Sequence, residues 1–129
     1  MLVIIELMTK IAIIEDDQII HQMYRMKFES EGFNVALADN GIQGISVVKD
    51  FKPDIILLDL QMPEMSGSEA LAAIRKLPEG RDVPVIVLTN LGKEEAPKEL
   101  KDLSVHSYIV KADLTPRQVI EHVKEALKK

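Results

Sequence analysis

Four polar groups stand directly after short apolar runs of this sequence, and their side chains are chemically complementary. Glu15 and Asp16 together form the first group, and Asp59, Thr89 and Lys111 are the other three. A carboxylate can act as the nucleophile in phosphoryl transfer, while a metal ion and a lysine neutralise charge on the transferring oxygens. A threonine hydroxyl can donate a hydrogen bond to a further oxygen. These residue types therefore predict phosphoryl transfer to a carboxylate, provided that the fold gathers the four groups.

Three of these side chains are carboxylates, and their gathering predicts a bound metal ion. Without a cation between them, Glu15, Asp16 and Asp59 would raise one another's pKa by repulsion. No cysteine occurs in the chain and no histidine stands close to these residues, so a site of oxygen ligands favours Mg²⁺. Asp59 is the candidate nucleophile, since a buried apolar run delivers it to the edge of a turn.

The element that positions Asp59 is an apolar run, residues 55–58, that shows no polar alternation. This pattern is typical of a strand covered on both faces in a parallel sheet, although a short buried helix would look the same. Pro53 before the run and Pro63 and Gly67 after it leave no room for a helix. A carboxylate at the end of such a strand lies where open α/β sheets bind their ligands.

Four further apolar runs predict strands, with an amphipathic helix after each strand. These strands are expected at residues 10–14, 33–38, 83–88 and 106–110. Five strands that alternate with five helices predict a doubly wound α/β fold around a parallel sheet. Because parallel strands end at one edge of the sheet, the four polar groups should meet there.

Capping residues indicate where the helices begin and end. Gly32 is expected to end the first helix, and Asp39 or Asn40 to cap the second. Capping boxes are expected at 66–69 and at 115–118 for the third and fifth helices. The fourth helical region, 90–104, is expected to begin near Pro97, behind a mobile loop.

Apolar spacing predicts which helical residues face inward. In the first helix these are Ile19, Ile20, Met23, Tyr24, Met26 and Phe28, and in the second Ile42, Ile45, Val48 and Phe51. The three histidines, His21, His106 and His122, lack convergent metal-ligand partners and are interpreted as structural or surface residues.

The composition fits a single globular domain of 129 residues, 47% of them hydrophobic and 29% charged. A net charge of −5 argues against a general nucleic-acid binder, because phosphate backbones are bound by surplus Lys and Arg. The absence of cysteine excludes disulfides and thiol catalysis and is consistent with a cytoplasmic protein.

Residues 1–9 are interpreted as an N-terminal extension in front of a domain at 10–129. The apolar start, residues 1–8, is too short to span a membrane and lacks a basic leader, so neither an anchor nor a signal peptide is expected. An ordered extension would add a strand at a sheet edge or pair with another chain.

The motifs that follow four of the predicted strands resemble those of receiver domains of two-component response regulators. IIEDD at 13–17, LLDLQMPEMSG at 57–67, LTN at 88–90 and YIVKA at 108–112 stand in the order and spacing of that family. The resemblance covers residues 10–128. It implies a flavodoxin-like α/β fold with strand order 2-1-3-4-5, and a signalling switch rather than an enzyme.

The resemblance implies a role in a phosphorelay. Asp59 would accept a phosphoryl group from a phosphohistidine on a sensor histidine kinase or a phosphotransfer protein, and would lose it slowly by self-dephosphorylation. Asp16, Asp59 and the backbone carbonyl of Gln61 would bind Mg²⁺, with Glu15 acting through water.

The same resemblance gives roles to the later motifs. Lys111 would pair with the phosphoryl oxygens, Thr89 would move toward them, and the aromatic ring of Tyr108 would follow Thr89 inward. Asp17, the third acid of its run, is expected to cap the first helix.

The expected output is a population shift at a protein-binding surface made of the fourth helix, the fifth strand and the fifth helix. Because the sequence stops after the fifth helix, we expect no attached effector domain and a separate downstream protein. A monomer or weak dimer without direct DNA or membrane contact is expected.

Two positions depart from the family pattern. Ala112 follows Lys111 where receivers carry a proline, often in a cis peptide, and a cis bond before alanine would cost ~2.5–4 kcal/mol relative to trans. Asn90 replaces the small residue that commonly follows the threonine, and Leu91 and Gln61 lie where receivers control the access of water to the acyl phosphate. We expect Asn90 and Leu91 to shield the site and slow dephosphorylation.

Three alternatives come from other functional classes. A Mg²⁺-dependent phosphatase of the haloacid dehalogenase type also uses an aspartate, but its D-x-D motif after the first strand is absent here. A flavin or nucleotide module is disfavoured, because no glycine-rich phosphate loop is present. A degenerate receiver that only binds partners remains an alternative, although the acidic, Thr and Lys residues are all present.

Overall fold

The computed structural model describes residues 9–128, and its centre is a sheet of five parallel strands. The strands are β1 (Lys10–Ile14), β2 (Asn34–Ala38), β3 (Ile55–Leu58), β4 (Val85–Thr89) and β5 (Ser107–Val110). Their spatial order is β2-β1-β3-β4-β5, which confirms the predicted order 2-1-3-4-5. Most of the predicted N-terminal extension, residues 1–8, lies outside the described residues.

Parallel pairing brings the carboxyl ends of the strands to one edge of the sheet. Ile14 is paired with Ala38 on one side and with Leu58 on the other, and Thr89 is paired with Val110. The residues that follow β1, β3 and β5 therefore all emerge at this edge, hereafter the carboxyl rim.

Four α-helices cover the sheet, and none of the helices within residues 9–128 is long and apolar enough to cross a membrane. They are α1 (Gln18–Ser30), α2 (Gly41–Phe51), α3 (Gly67–Arg75) and α4 (Pro116–Leu127). Each begins at a side chain that accepts hydrogen bonds from the first turn: Asp17, Asn40, Ser66 and Thr115. The predicted capping boxes at 66–69 and 115–118 are confirmed.

The connection between β4 and β5 differs from the prediction of a fourth α-helix. It contains two short 3-10 helices, Lys93–Glu95 and Lys98–Asp102. Pro97 separates them, because proline has no amide hydrogen to continue a helix from the preceding turn. The predicted helical start near Pro97 is correct, but the helix that begins there has 3-10 geometry and only five residues.

The strand side chains alternate between two apolar cores, as expected for a sheet covered on both faces. In β3, Ile55 and Leu57 pack toward one face, with α1 and α4, while Ile56 and Leu58 pack toward the other, with α2 and α3. All four side chains are at most 2% exposed. Burial of each is worth about 1.5–3 kcal/mol, so the strand that carries Asp59 is among the best anchored.

Three residues predicted to face inward are exposed instead. Ile19, Met26 and Ile42 have 83%, 69% and 55% of their surface accessible. In α1, Tyr24 and Phe28 are buried against the sheet, and Ile19 and Met26, seven residues apart, share a different face. The predicted stripe was too broad, because apolar spacing alone does not show which part of a wide stripe meets the sheet.

Candidate functional site

Asp59 lies at the carboxyl rim on the central strand. Its backbone amide donates to the carbonyl of Ile14 at 3.0 Å, which ties the first residue after β3 to the end of β1. Its Oδ1 accepts a hydrogen bond from the backbone amide of Gln61 at 3.2 Å. The residue is only 5% exposed, and these bonds hold its carboxylate in position at the rim.

The end of β1 brings two more carboxylates to Asp59. Glu15 is 4% exposed, and its backbone amide donates to the carbonyl of Ala38 at 3.0 Å. One carboxylate oxygen from each of Glu15, Asp16 and Asp59 lies within 4.8 Å of the others. The predicted gathering of acids from separate strands is therefore seen in the structure.

The next acid of the run, Asp17, has a different position. Its Oδ1 accepts hydrogen bonds from the backbone amides of Ile19 at 3.0 Å and Ile20 at 3.2 Å. Asp17 thus caps α1, as predicted, and its amide donates to Glu15 Oε2 at 3.0 Å.

Lys111 supplies the positive charge, from the first residue after β5. Its Nζ lies 2.8 Å from Glu15 Oε1 and 3.3 Å from Asp59 Oδ2, and its side chain is 14% exposed. No peptide bond among the described residues is cis, so the Lys111–Ala112 peptide is trans. Lys111 therefore reaches the acidic cluster without the cis bond common in the family.

Burial affects the pKa of both Glu15 and Lys111. Burial raises the pKa of Glu15 to about 7, against the opposing effects of hydrogen bonds from Lys111 and from the Asp17 amide. Burial lowers the pKa of Lys111, but the hydrogen bond to Glu15 and the charge of Asp59 outweigh it, so its pKa lies above the ordinary value. The lysine stays charged, and a single cation does not offset three gathered carboxylates.

These carboxylates fit a hard divalent cation. All the side-chain donors are oxygens, as Mg²⁺ prefers, and its charge would offset the burial that raises the pKa of Glu15. Within residues 9–128, Glu15, Asp16 and Asp59 are the one group of three potential ligand side chains that converge so closely. The three histidines are not part of it.

Thr89 and Tyr108 are linked through the backbone that follows β4. Thr89 is fully buried, and its Oγ1 accepts a hydrogen bond from the amide of Leu91 at 3.4 Å. The hydroxyl of Tyr108 donates to the carbonyls of Leu91 at 3.1 Å and Gly92 at 3.4 Å. Both predicted switch residues therefore contact the same two-residue segment, and no described hydrogen bond or ion pair joins Thr89 to Asp59.

Two residues with structural roles were missed or only partly understood from the sequence. Gly67 was interpreted as a helix breaker, yet a Cβ there would lie 2.2 Å from the backbone oxygen of Asp59. Its amide also donates to the carbonyl of Leu60 at 2.9 Å. Arg75 was not predicted to have a role, because an arginine in the last turn of a helix looks like an ordinary surface cation.

Comparisons with known proteins agree with this geometry. The family model described as the response regulator receiver domain matches residues 11–124. The polar-differentiation response regulator DivK of Brucella ovis is 30% identical over 121 residues, which cover 93% of this chain and 98% of DivK. The transcriptional regulatory protein ResD of Bacillus subtilis is 33% identical over 94% of this chain, which spans only 49% of ResD.

A solved structure shows the same architecture. The response regulator receiver domain protein (CheY-like) from Methanospirillum hungatei superposes with a TM-score of 0.84 at 28% identity. The match covers 93% of this chain and 94% of that protein.

Proposed function

Since this chain belongs to the family of response regulator receiver domains of two-component systems, we propose that it is a phosphoacceptor switch in which Asp59 receives a phosphoryl group from a phosphohistidine. One observation carries the proposal: the Asp59 carboxylate lies close to a lysine amine and to two further carboxylates, all of which come from the ends of other strands. A histidine kinase or a phosphotransfer protein is the proposed donor.

The transfer would use the residues at the carboxyl rim. A carboxylate oxygen of Asp59 forms the new bond to phosphorus, and the bond from phosphorus to the donor's imidazole nitrogen breaks, with the electron pair left on that nitrogen. The Lys111 amine, already 3.3 Å from Asp59, pairs with the phosphoryl oxygens. Thr89 donates its hydroxyl hydrogen to another of them.

The metal set is also a proposal. Glu15, Asp16 and Asp59 would hold Mg²⁺ together with the backbone carbonyl of Gln61, with Glu15 acting through water. When bound, Mg²⁺ would neutralise charge that develops on the transferring oxygens.

The output would pass through the residues that Thr89 and Tyr108 contact. If Thr89 turns toward the phosphoryl group, its Oγ1 no longer accepts from the Leu91 amide, and Tyr108 loses its present partners as the segment moves. The proposed effector surface then comprises the connection between β4 and β5, β5 itself and α4. A ligand of this surface shifts the population between two arrangements.

Phosphorylation from a small donor tests this function. We expect acetyl phosphate with Mg²⁺ to add one phosphoryl group, measured by intact mass, and EDTA to suppress the addition. Hydroxylamine should remove the group as expected for an acyl phosphate, and peptide mapping should locate it at 54–67. Labelling on another peptide, or equal labelling without Mg²⁺, would contradict the proposal.

A phosphatase and a degenerate receiver predict different results in the same experiment. A phosphatase of the haloacid dehalogenase type would release inorganic phosphate from phosphoesters over many turnovers. A degenerate receiver would remain unlabelled. The close contact of Lys111 with Asp59 and Glu15 favours a functional acceptor over the degenerate form.

The exposed apolar face of α1 is the expected contact for the donor protein. Ile19 and Met26 are exposed and α1 starts at the rim, so a donor that reaches the nearly buried Asp59 must cover the start of α1. With Met23 they follow the i, i+4, i+7 spacing of a helix-binding face.

Charges on this face should therefore impair protein-mediated transfer selectively. We expect the double variant Ile19→Lys, Met26→Lys to slow phosphoryl transfer from a cognate phosphorylated histidine kinase by about tenfold or more. The transfer rate is measured with histidine kinases encoded in the same genome. Labelling by acetyl phosphate should be unchanged. Ser46→Lys, on exposed α2 surface, is the matched control, and equal slowing by it would argue against a donor site on α1.

The lifetime of the phosphorylated state should depend on Leu91. Leu91 is half-buried, packs against the apolar core and follows Thr89 closely, whereas Asn90 is exposed. We expect Leu91→Ala to admit water and speed the loss of phosphate by about tenfold, followed by intact mass after removal of the donor. Leu103→Ala is the control, because it makes the same truncation against the same apolar core but lies at the far end of the β4–β5 connection from Thr89. A lifetime unaffected by Leu91→Ala would remove the shielding role.

A further inference from the structure

Arg75, the last residue of α3, makes an unusual set of contacts. Its guanidinium donates to the carbonyl of Leu103 at 2.8 Å and to that of Ser104 at 3.0 Å. It also donates to the carbonyls of Gly80 at 2.9 Å and Val83 at 2.7 Å. One side chain thus joins the segment that enters β4 to the segment that enters β5.

These contacts involve backbone oxygens and no carboxylate. None of the ion pairs found within residues 9–128 includes Arg75. A planar guanidinium has five N–H donors in a fixed arrangement, which suits several carbonyls at once, whereas a lysine offers a single point charge. Hydrogen bonds from a charged donor are roughly twice as strong as neutral ones.

The local backbone is shaped for this contact. A Cβ on Gly80 would lie 2.4 Å from the backbone oxygen of Ile74, so only glycine allows the chain to pass so close to the end of α3. Ser104 has a positive φ of 56°, a conformation that costs a non-glycine residue about 1–2 kcal/mol. Arg75 holds the carbonyl of this strained residue, which supports a fixed rather than an adaptable position.

The two ends of the β4–β5 connection are therefore held very differently. At the carboxyl rim, residues 91 and 92 are joined to β4 and β5 by neutral hydrogen bonds of 3.1–3.4 Å, to Thr89 and from Tyr108. Gly92 also bonds to the carboxylate and the backbone amide of Glu95, but these bonds lie within the connection and do not tie it to the sheet. At the other end, Leu103 and Ser104 are held by charged hydrogen bonds of 2.8–3.0 Å. A movement of Thr89 therefore acts on the more weakly held end of the β4–β5 connection.

We propose that Arg75 is the fixed pivot of the switch, so that phosphorylation of Asp59 moves residues 90–102 about an anchored hinge at Leu103–Ser104. This inference rests on the proposed function and extends it, since it says where the movement stops. Arg75 touches neither the acceptor nor the metal ligands and is a positioning residue.

The test compares amide chemical shifts with and without beryllofluoride and Mg²⁺, which mimic a phosphoryl group on a carboxylate. In the wild-type protein we expect large shift changes at residues 89–102 and small changes at 103–105. In Arg75→Gln the changes should extend through 103–105. Arg25→Gln, which removes an exposed arginine on α1, should behave like the wild type.

Each outcome decides a separate point. If Arg75→Gln keeps the changes confined to 89–102, or if the wild type already changes strongly at 103–105, the pivot is wrong. If Arg75→Gln does not fold, Arg75→Lys keeps the charge without the planar arrangement and should show the same spread. If the wild type shows no change at any residue with beryllofluoride, the proposed function fails, and the failure does not concern Arg75.

Discussion

Asp59→Asn is expected to abolish phosphorylation by acetyl phosphate and by a phosphorylated histidine kinase. Among the described contacts, Asp59 is the only carboxylate that accepts a hydrogen bond from the Gln61 amide and also contacts the Lys111 amine. The substitution removes this carboxylate. An amide oxygen is a far weaker nucleophile than a carboxylate oxygen, so no labelled protein should be detected by intact mass.

The variant should nevertheless be folded. Asparagine keeps an oxygen that can accept the hydrogen bond from the Gln61 amide, and it removes one of three crowded negative charges. Asp17→Asn is the matched control, because it removes an acid from the same run while asparagine still caps α1. Asp17→Asn should label normally. Equal labelling of Asp59→Asn and the wild type would exclude Asp59 as the acceptor.

Gly67→Ala should have the largest effect on stability. The added Cβ would lie 2.2 Å from the backbone oxygen of Asp59 and 2.6 Å from the Cα of Leu60, and backbone atoms cannot move aside as a flexible side chain can. We expect a loss of about 3 kcal/mol in the free energy of unfolding, measured by urea denaturation. Because the displaced backbone carries Asp59, the proposed acceptor, labelling by acetyl phosphate should also slow.

Gly92→Ala provides the control for Gly67→Ala. There the nearest atom to the added Cβ is the carboxylate oxygen of Glu94 at 2.8 Å, the end of a flexible side chain on an exposed turn. Its free energy of unfolding should change by less than about 1 kcal/mol. Similar losses in both variants would show that close backbone approach does not explain the glycine at position 67.

The strands and the carboxyl rim could be predicted because their signals are local. An unbroken apolar run such as 55–58 indicates a doubly covered strand, and a polar residue after it marks the strand end. Parallel pairing then places Glu15, Asp59 and Lys111 at one edge. Helix starts such as Ser66 were equally clear, because capping depends on side chains next to the helix.

Other features depend on tertiary contacts that no local pattern reports. The exposure of Ile19 and Met26 depends on how α1 rotates against the sheet, and both residues are as apolar as their buried neighbours. The partners of Arg75 are backbone carbonyls, which every sequence contains, so its role has no sequence signal. The predicted fourth α-helix is replaced by two 3-10 helices, because Pro97 interrupts the connection and the left-handed backbone of Ser104 limits the second helix.

The residues proposed for phosphoryl transfer stand at or just after the ends of strands in the buried sheet, whereas the proposed donor surface lies on α1. On this proposal, substitutions at positions such as Met26 would redirect the protein to another donor and leave the chemistry proposed for Asp59 intact. We therefore expect a graft of the α1 surface from a relative to transfer that relative's choice of phosphoryl donor.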